Sequence, residues 1–136
     1  MIKILIFFFI ITTLHASDTN LESKIFKNII HAIVQKEHPT IYIHKKLNSL
    51  SNHPGGLNIS SKCEDADLVI LSTLKGLPQK CQGKLLFGSR YSHLKNSNVI
   101  GSFFWQKGRP NILFYKDRLK KNQIKLDNSF DKYIEK

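Results

Sequence analysis

The chain has 136 residues, 41% of them hydrophobic, and a net charge of +11 at pH 7. This length fits one domain. The charge suits an anionic membrane surface, an acidic protein face or a nucleic acid, although a Lys-rich proteome would produce it without any function.

The N-terminus has the pattern of a secretory signal peptide. Lys3 precedes an apolar run from Ile4 to Leu14, and the small residue Ala16 offers a cleavage site. The run is too short for a comfortable bilayer span. We expect a signal peptide over residues 1–16, a single domain over residues 17–136 and a periplasmic location, which argues against nucleic acid as a partner. The alternative is an uncleaved anchor.

Apolar spacing predicts short strands alternating with helices. A 3-4 spacing predicts a helix over residues 21–37, which the pair His38-Pro39 ends. Four consecutive apolar residues within 67–72 predict a central buried strand. The other predicted strands cover 40–44, 57–59 and 84–88, and the later helices cover 116–122 and 128–134. This order predicts an α/β fold, a three-layer Rossmann-like sandwich with a mixed sheet.

Residues 98–115 predict a C-terminal β-hairpin. Two apolar runs with period-2 alternation flank a turn at residues 106–109. The alternation predicts one face with Val99, Gly101, Phe103 and Trp105, and an opposite face with Ile100, Ser102 and Phe104. Both faces are apolar, so we expect helices on both sides of the sheet, and an apolar contact between two copies stays open.

The hairpin turn is also the first candidate contact site. Trp105, Lys107 and Arg109 place an aromatic ring beside two cations, and such residues are enriched in protein interfaces. We predict that these three residues bind a partner protein. The alternative is an ordinary charged turn.

The loop after the strand at 84–88 is a candidate ligand site. Ser89, Arg90 and Tyr91 combine backbone amides, a hydroxyl and a guanidinium, which could hold a carboxylate or a phosphate. The alternative is a turn with a solvated arginine.

The two cysteines, Cys63 and Cys81, predict a disulfide, because an exported protein with an even cysteine count usually pairs them. Two unpaired thiols are the alternative.

No motif predicts catalysis, a metal or a cofactor. The segment 52–62 lacks the Gly-Lys-Ser/Thr order of a phosphate loop, and neither Ser72 nor Ser89 lies in a GxSxG motif. The histidines form no HxH or i,i+4 pair. We therefore expect a protein that is not an enzyme.

From Asp67 onward the chain resembles the YfiR-like family of small periplasmic proteins. SNVIGSFFWQKGRPNILFY stands in the place of the family's hairpin, and IKLDNSFDKYI stands where the family's closing crossover and helix lie. The triplet Ile124-Lys125-Leu126 falls in the family's register when counted from Arg109. The chain departs from the family pattern at Ser97-Asn98, where a double glycine is usual, and at Tyr115, where the family has Asn.

The resemblance implies a regulator without enzymatic activity. Members are similar to proteins that bind the periplasmic portion of an inner-membrane diguanylate cyclase, hold it inactive and so alter cyclic-di-GMP output. It also implies that the redox state of Cys63 and Cys81 affects this output. Our leading hypothesis is a periplasmic regulator of a membrane signalling protein of the cyclase or sensor-kinase type. The competing hypothesis is a small solute-binding protein that holds an anion near Ser89 and Arg90.

Overall fold

The computed structural model describes residues 19–136. The predicted signal peptide, residues 1–16, lies outside the described residues.

Within the described part of the chain, seven strands form a single sheet, accompanied by three α-helices and four short 3-10 helices. The α-helices are α1 (residues 19–34), α2 (Asn48–Asn52) and α3 (Lys116–Lys121). The strands are β1 (Thr40–His44), β2 (Asn58–Ile59), β3 (Leu68–Leu71), β4 (Leu86–Gly88), β5 (Val99–Gln106), β6 (Arg109–Tyr115) and β7 (Ile134–Glu135). The 3-10 helices cover Cys63–Asp65, Gln79–Cys81, Tyr91–Lys95 and Asn128–Tyr133.

The sheet is mixed and mostly parallel, in the order β2-β1-β3-β4-β5-β6-β7. Strands β1 to β5 run parallel to one another, β5 and β6 form the antiparallel hairpin, and β7 lies parallel to β6. The predicted α/β class, the mixed sheet and the late hairpin are confirmed. Strand β3 is buried along its whole length, as its four consecutive apolar residues predict.

Helix α1 covers one face of the sheet. Phe26 of α1 meets the rings of Phe87 and Phe103 edge-on, with ring centroids 6.4 and 4.9 Å apart. Further apolar residues of α1, of the strands and of the C-terminal segment complete this core: Ile29, Ile30, Ile33, Ile41, Leu68, Ile70, Ile100, Phe114, Leu126 and Phe130. This is the larger of the two apolar cores described, so α1 is the main cover of the sheet.

Short 3-10 segments, and not the expected α-helices, cover the opposite face. Cys63, Cys81 and Leu94 come from three of these segments. They pack on strand residues of alternate parity, Val69, Leu71, Leu86 and Val99. The molecule is therefore a three-layer α/β sandwich whose two outer layers differ in thickness.

The predicted alternation along β5 is correct from Gly101 to Trp105 and wrong at Val99 and Ile100. The register between β4 and β5 shifts at Leu86/Phe87, where Leu86 pairs with Val99 and Phe87 pairs with Gly101. This extra residue puts Ile100 in the α1 core and Val99 in the opposite core.

Two helices also differ between the prediction and the structure. Helix α1 ends at residue 34 because Gln35 adopts a left-handed backbone (φ 59°), and its side-chain amide donates to the carbonyl of Lys125 at 2.9 Å. The predicted last helix is a 3-10 helix, capped by Asp127 through the amide of Ser129. It leads into strand β7, which the sequence pattern did not predict.

Candidate functional site

The hairpin tip, residues 105–109, is formed by a tight two-residue turn. Lys107 and Gly108 both have positive φ angles, 52° and 73°, as a type I′ turn requires. The flanking pair Gln106 and Arg109 closes the ladder between β5 and β6. The turn thus holds the tip at a fixed position beyond the sheet.

Trp105 is exposed and yet held in one orientation. Its indole Nε1 donates to the Oε1 of Glu22 on α1 at 2.9 Å, and its ring lies 5.9 Å from the ring of Phe103. The side chain is 41% exposed. A large aromatic surface is therefore presented to solvent with little orientational freedom left to lose on binding.

The structure brings Trp105, Lys107 and Arg109 to the same end of the hairpin but not to one face. Trp105 pairs with Pro110, and Gln106 pairs with Arg109, so strand alternation places Arg109 on the face opposite the indole. Within residues 19–136, neither Lys107 nor Arg109 lies within 4.0 Å of a carboxylate. The tip is therefore an unpaired cationic end with the aromatic ring on one side.

A second exposed aromatic ring flanks the hairpin on its other face. Tyr91, which is 61% exposed, meets the ring of Phe104 edge-on at 5.4 Å. The sequence pattern grouped Tyr91 with a ligand loop, whereas its described ring contact is with the hairpin. Exposed rings thus stand on both sides of this end of the sheet.

The loop after β4 uses most of its polar groups inside the protein. The Ser89 amide donates to Nδ1 of His93 at 3.1 Å, and the Ser89 hydroxyl donates to the carbonyl of Leu71. The Ser102 hydroxyl donates to the Arg90 carbonyl at 2.8 Å. The guanidinium of Arg90 remains outside this network and exposed. An anion at this loop would therefore meet the guanidinium without the serine donors.

His93 is the buried centre of that network. It is 3% exposed, and burial, followed by the nearby charge of Arg90, lowers its pKa below 6.5. Because Nδ1 accepts the Ser89 amide, the neutral tautomer carries its proton on Nε2. As an uncharged hydrogen-bond acceptor, His93 thus holds the loop in place.

Cys63 and Cys81 form the predicted disulfide, with Cα atoms 5.4 Å apart. Both residues are buried, Cys81 completely. The Lys84 ammonium ties the same region together by donating to the carbonyls of Glu64 and Ala66 at 2.7 and 3.3 Å. The disulfide belongs to the thinner layer of the sandwich, where it joins two 3-10 helices.

A groove between α1 and β6 was not predicted from the sequence. It encloses about 730 Å³ and is lined by residues of α1, of β6 and of the C-terminal 3-10 helix. These residues are far apart in sequence and form no motif, so only the fold brings them together. We call it the α1–β6 groove.

Within residues 19–136, no three His, Cys, Asp or Glu side chains are grouped to hold a metal ion. None of the helices in this part of the chain is long and apolar enough to cross a bilayer.

Comparisons of the chain with protein families, with curated proteins and with solved structures give no match. The resemblance to the YfiR-like family therefore stays a prediction.

Proposed function

We propose that this protein is an exported regulator without enzymatic activity that binds the periplasmic part of an inner-membrane signalling protein, of the diguanylate cyclase or sensor-kinase type. The observation that carries the proposal is the exposed Trp105, oriented by Glu22 at the end of a tight hairpin. Tryptophan and arginine are enriched among the few residues that carry most of the binding energy in protein interfaces.

The charge of the tip supports a protein partner with an acidic face. Lys107 and Arg109 extend from the turn, both exposed, and Trp105 lies at the same end of the hairpin on the face opposite Arg109. A partner that surrounds the tip would neutralise the cations and bury the indole in one contact.

Two further observations support the location and the class of the partner. The Cys63–Cys81 disulfide fits an oxidising compartment such as the periplasm. The resemblance of the hairpin and closing segment to the YfiR-like family suggests a membrane signalling protein as the partner.

The competing function, anion binding by Ser89, Arg90 and Tyr91, has less support. Both donors of Ser89 already bond within the protein, and the ring of Tyr91 packs on Phe104. Only the guanidinium of Arg90 would remain as a charged ligand contact.

Site-specific photocrosslinking in the native host tests the proposal. A photoreactive residue placed at Lys107 should give an adduct with one inner-membrane signalling protein, because the turn would lie in the contact. The same residue placed at Lys121, which is exposed on α3, is the matched control and should give none.

Loss of the indole should weaken the same contact. Trp105→Ala, combined with the photoreactive residue at 107, should reduce the adduct several-fold while Lys121→Ala leaves it unchanged. Repeating the experiment under reducing conditions tests whether the disulfide affects binding. The proposal fails if position 107 gives no adduct above background, or if positions 107 and 121 give the same proteins in equal yield.

A further inference from the structure

The α1–β6 groove has the volume of a small-molecule site. One wall is α1, with Lys24 and Asn28, and the other wall is the 3-10 helix Asn128–Tyr133, with Lys132. Its volume of about 730 Å³ falls within the range of known ligand pockets, which runs from about 300 to 1,000 Å³.

The base of the groove is apolar. Ile25 and Ile29 of α1 meet Ile112 of β6 and the ring of Phe130 along it. Ile29 and Phe130 also belong to the main core, so this base is rigid. Phe130 is further fixed by edge-on contacts with the rings of Phe114 and Tyr133, at 6.3 and 6.0 Å. An apolar ligand group would therefore meet a preformed surface.

The rim of the groove is cationic. Lys24 and Lys132 lie on opposite walls, and no Asp or Glu lines the groove. Across residues 19–136, neither ammonium is within 4.0 Å of a carboxylate, and the described contact of Lys132 is with the ring of Tyr133, at 5.2 Å. Asn28 and Tyr133 add side-chain donors that bond to no other described residue.

We infer that the α1–β6 groove binds an amphipathic carboxylate, whose acidic group lies between Lys24 and Lys132 and whose apolar body covers Ile112 and Phe130. A neutral apolar ligand would gain no attraction from the two exposed ammonium groups, and a fully polar anion would bury none of the apolar base. Only a ligand with both parts satisfies both surfaces. This site is separate from the hairpin tip and does not depend on the proposed partner.

Calorimetric titration of the purified protein with three probes tests the ligand class. Decanoate supplies both parts, decanol has the same chain without the charge, and acetate has the charge without the chain. We expect saturable binding of decanoate and at least tenfold weaker binding of decanol and of acetate. Equal binding of decanol would overturn the proposal, and so would absence of decanoate binding at millimolar concentration.

Variants of the two lysines locate the site. Lys24→Ala and Lys132→Ala should each weaken decanoate binding by about two- to fivefold, as expected for one exposed charge contact. Both residues are exposed, so the variants should fold normally. Lys121→Ala is the matched control and should leave binding unchanged. An equal loss in the control variant, or no loss in either groove variant, would place the carboxylate elsewhere and overturn the assignment.

The two proposals can fail separately. The groove variants change no residue of the tip, and Trp105 does not line the groove. Decanoate binding in a Trp105→Ala protein should therefore match that of the unaltered protein. Loss of decanoate binding in that variant would contradict the separation of the two sites.

Discussion

At the scale of single residues, Lys107 occupies a backbone conformation that does not suit it. Its φ angle of 52° lies in the left-handed region, where the Cβ of an L-residue is crowded and where asparagine is the favoured non-glycine residue. We predict that Lys107→Asn stabilises the protein by about 0.5–1 kcal/mol. Urea denaturation at an unchanged m-value measures the gain.

A matched variant on α3 gives the opposite sign. Lys121→Asn places a poorer helix former in an α-helix and should cost about 0.5 kcal/mol. If Lys107→Asn also destabilised the protein, the turn would gain from a contact of the lysine side chain. Lys107 also belongs to the proposed contact. A variant that gains stability but loses partner binding would therefore show that the two properties depend on this residue in different ways.

At the scale of elements, Arg118 joins α3 to the segment before β5. Its Nη1 donates to the carbonyls of Leu94, Asn96 and Val99 at 2.9, 3.2 and 2.9 Å. Its guanidinium carbon also lies 4.4 Å from the ring centroid of Tyr115. One cation therefore bonds to three carbonyls of the chain that leads into β5, one of which, that of Asn96, also accepts the amide of Val99.

We predict that Arg118→Ala lowers the free energy of unfolding by about 2–4 kcal/mol, since it removes several charge-assisted hydrogen bonds at once. Arg118→Lys should recover only part of the loss, because an ammonium lacks the planar group that stacks on the ring of Tyr115. Urea denaturation measures both, with Lys121→Ala as the control. A loss no larger than that of the control would mean that water replaces the guanidinium without cost.

The disulfide constrains a second pair of elements, the 3-10 helices Cys63–Asp65 and Gln79–Cys81. The two cysteines are 18 positions apart, and closing a loop of that length in the unfolded chain is worth about 3 kcal/mol. The variant Cys63→Ala/Cys81→Ala should therefore melt on the order of 10 °C lower. Reductant should lower the melting temperature of the unaltered protein and leave the variant unchanged. An equal effect on both proteins would contradict this assignment.

At the scale of the whole molecule, the sequence predicts the structural features that depend on a local pattern of residues. The apolar run at Leu68–Leu71, the hairpin across Lys107 and Gly108, and the even cysteine count each carry their own signal, and the structure has all three features. The shift at Val99 was not predictable, because a bulge depends on the neighbouring strand. Strand β7 pairs over only two residues, too few for a pattern.

For the candidate site, the sequence predicted the types of residue but not the contacts that hold them in place. The residues of the hairpin tip were found because an aromatic residue and two cations surround a turn. The hydrogen bond that orients Trp105 joins it to Glu22, 83 positions away in the sequence. Sequence periodicity relates only residues a few positions apart, so it could not predict this contact. Nothing in the sequence indicated that the donors of Ser89 are already bonded within the protein. Their acceptors, Leu71 and His93, come close to Ser89 only when β3 and the loop pack together.

The pKa shifts of two groups in the fold predict that acid destabilises the molecule in two stages. The first concerns His93, whose pKa burial and Arg90 lower below 6.5. The unfolded chain then binds this proton more strongly than the folded protein does. The stabilising contribution is complete above about pH 6.5 and is lost as the pH falls through the folded-state pKa.

The second stage concerns Asp67. Its burial raises its pKa, but the hydrogen bond from Lys36, the amide of Thr40 and the charge of Lys84 outweigh this effect, so the pKa is lowered from 3.8. The Lys36 ammonium lies 2.7 Å from Oδ1. This contribution is present above pH 3.8 and is lost as the pH falls through the lower folded-state value.

His93→Asn separates the two stages, because the asparagine oxygen can accept the Ser89 amide in place of Nδ1 and does not titrate. We expect the unaltered protein to lose stability between pH 7 and pH 5, and the variant to be nearly flat over that interval. His53→Asn, at an exposed histidine, should keep the original slope. Urea midpoints measured across the pH range test this. If the stability of His93→Asn still changed between pH 7 and pH 5, a group other than His93 would be responsible for the first stage. The loss of stability below pH 4 should disappear only in Asp67→Asn.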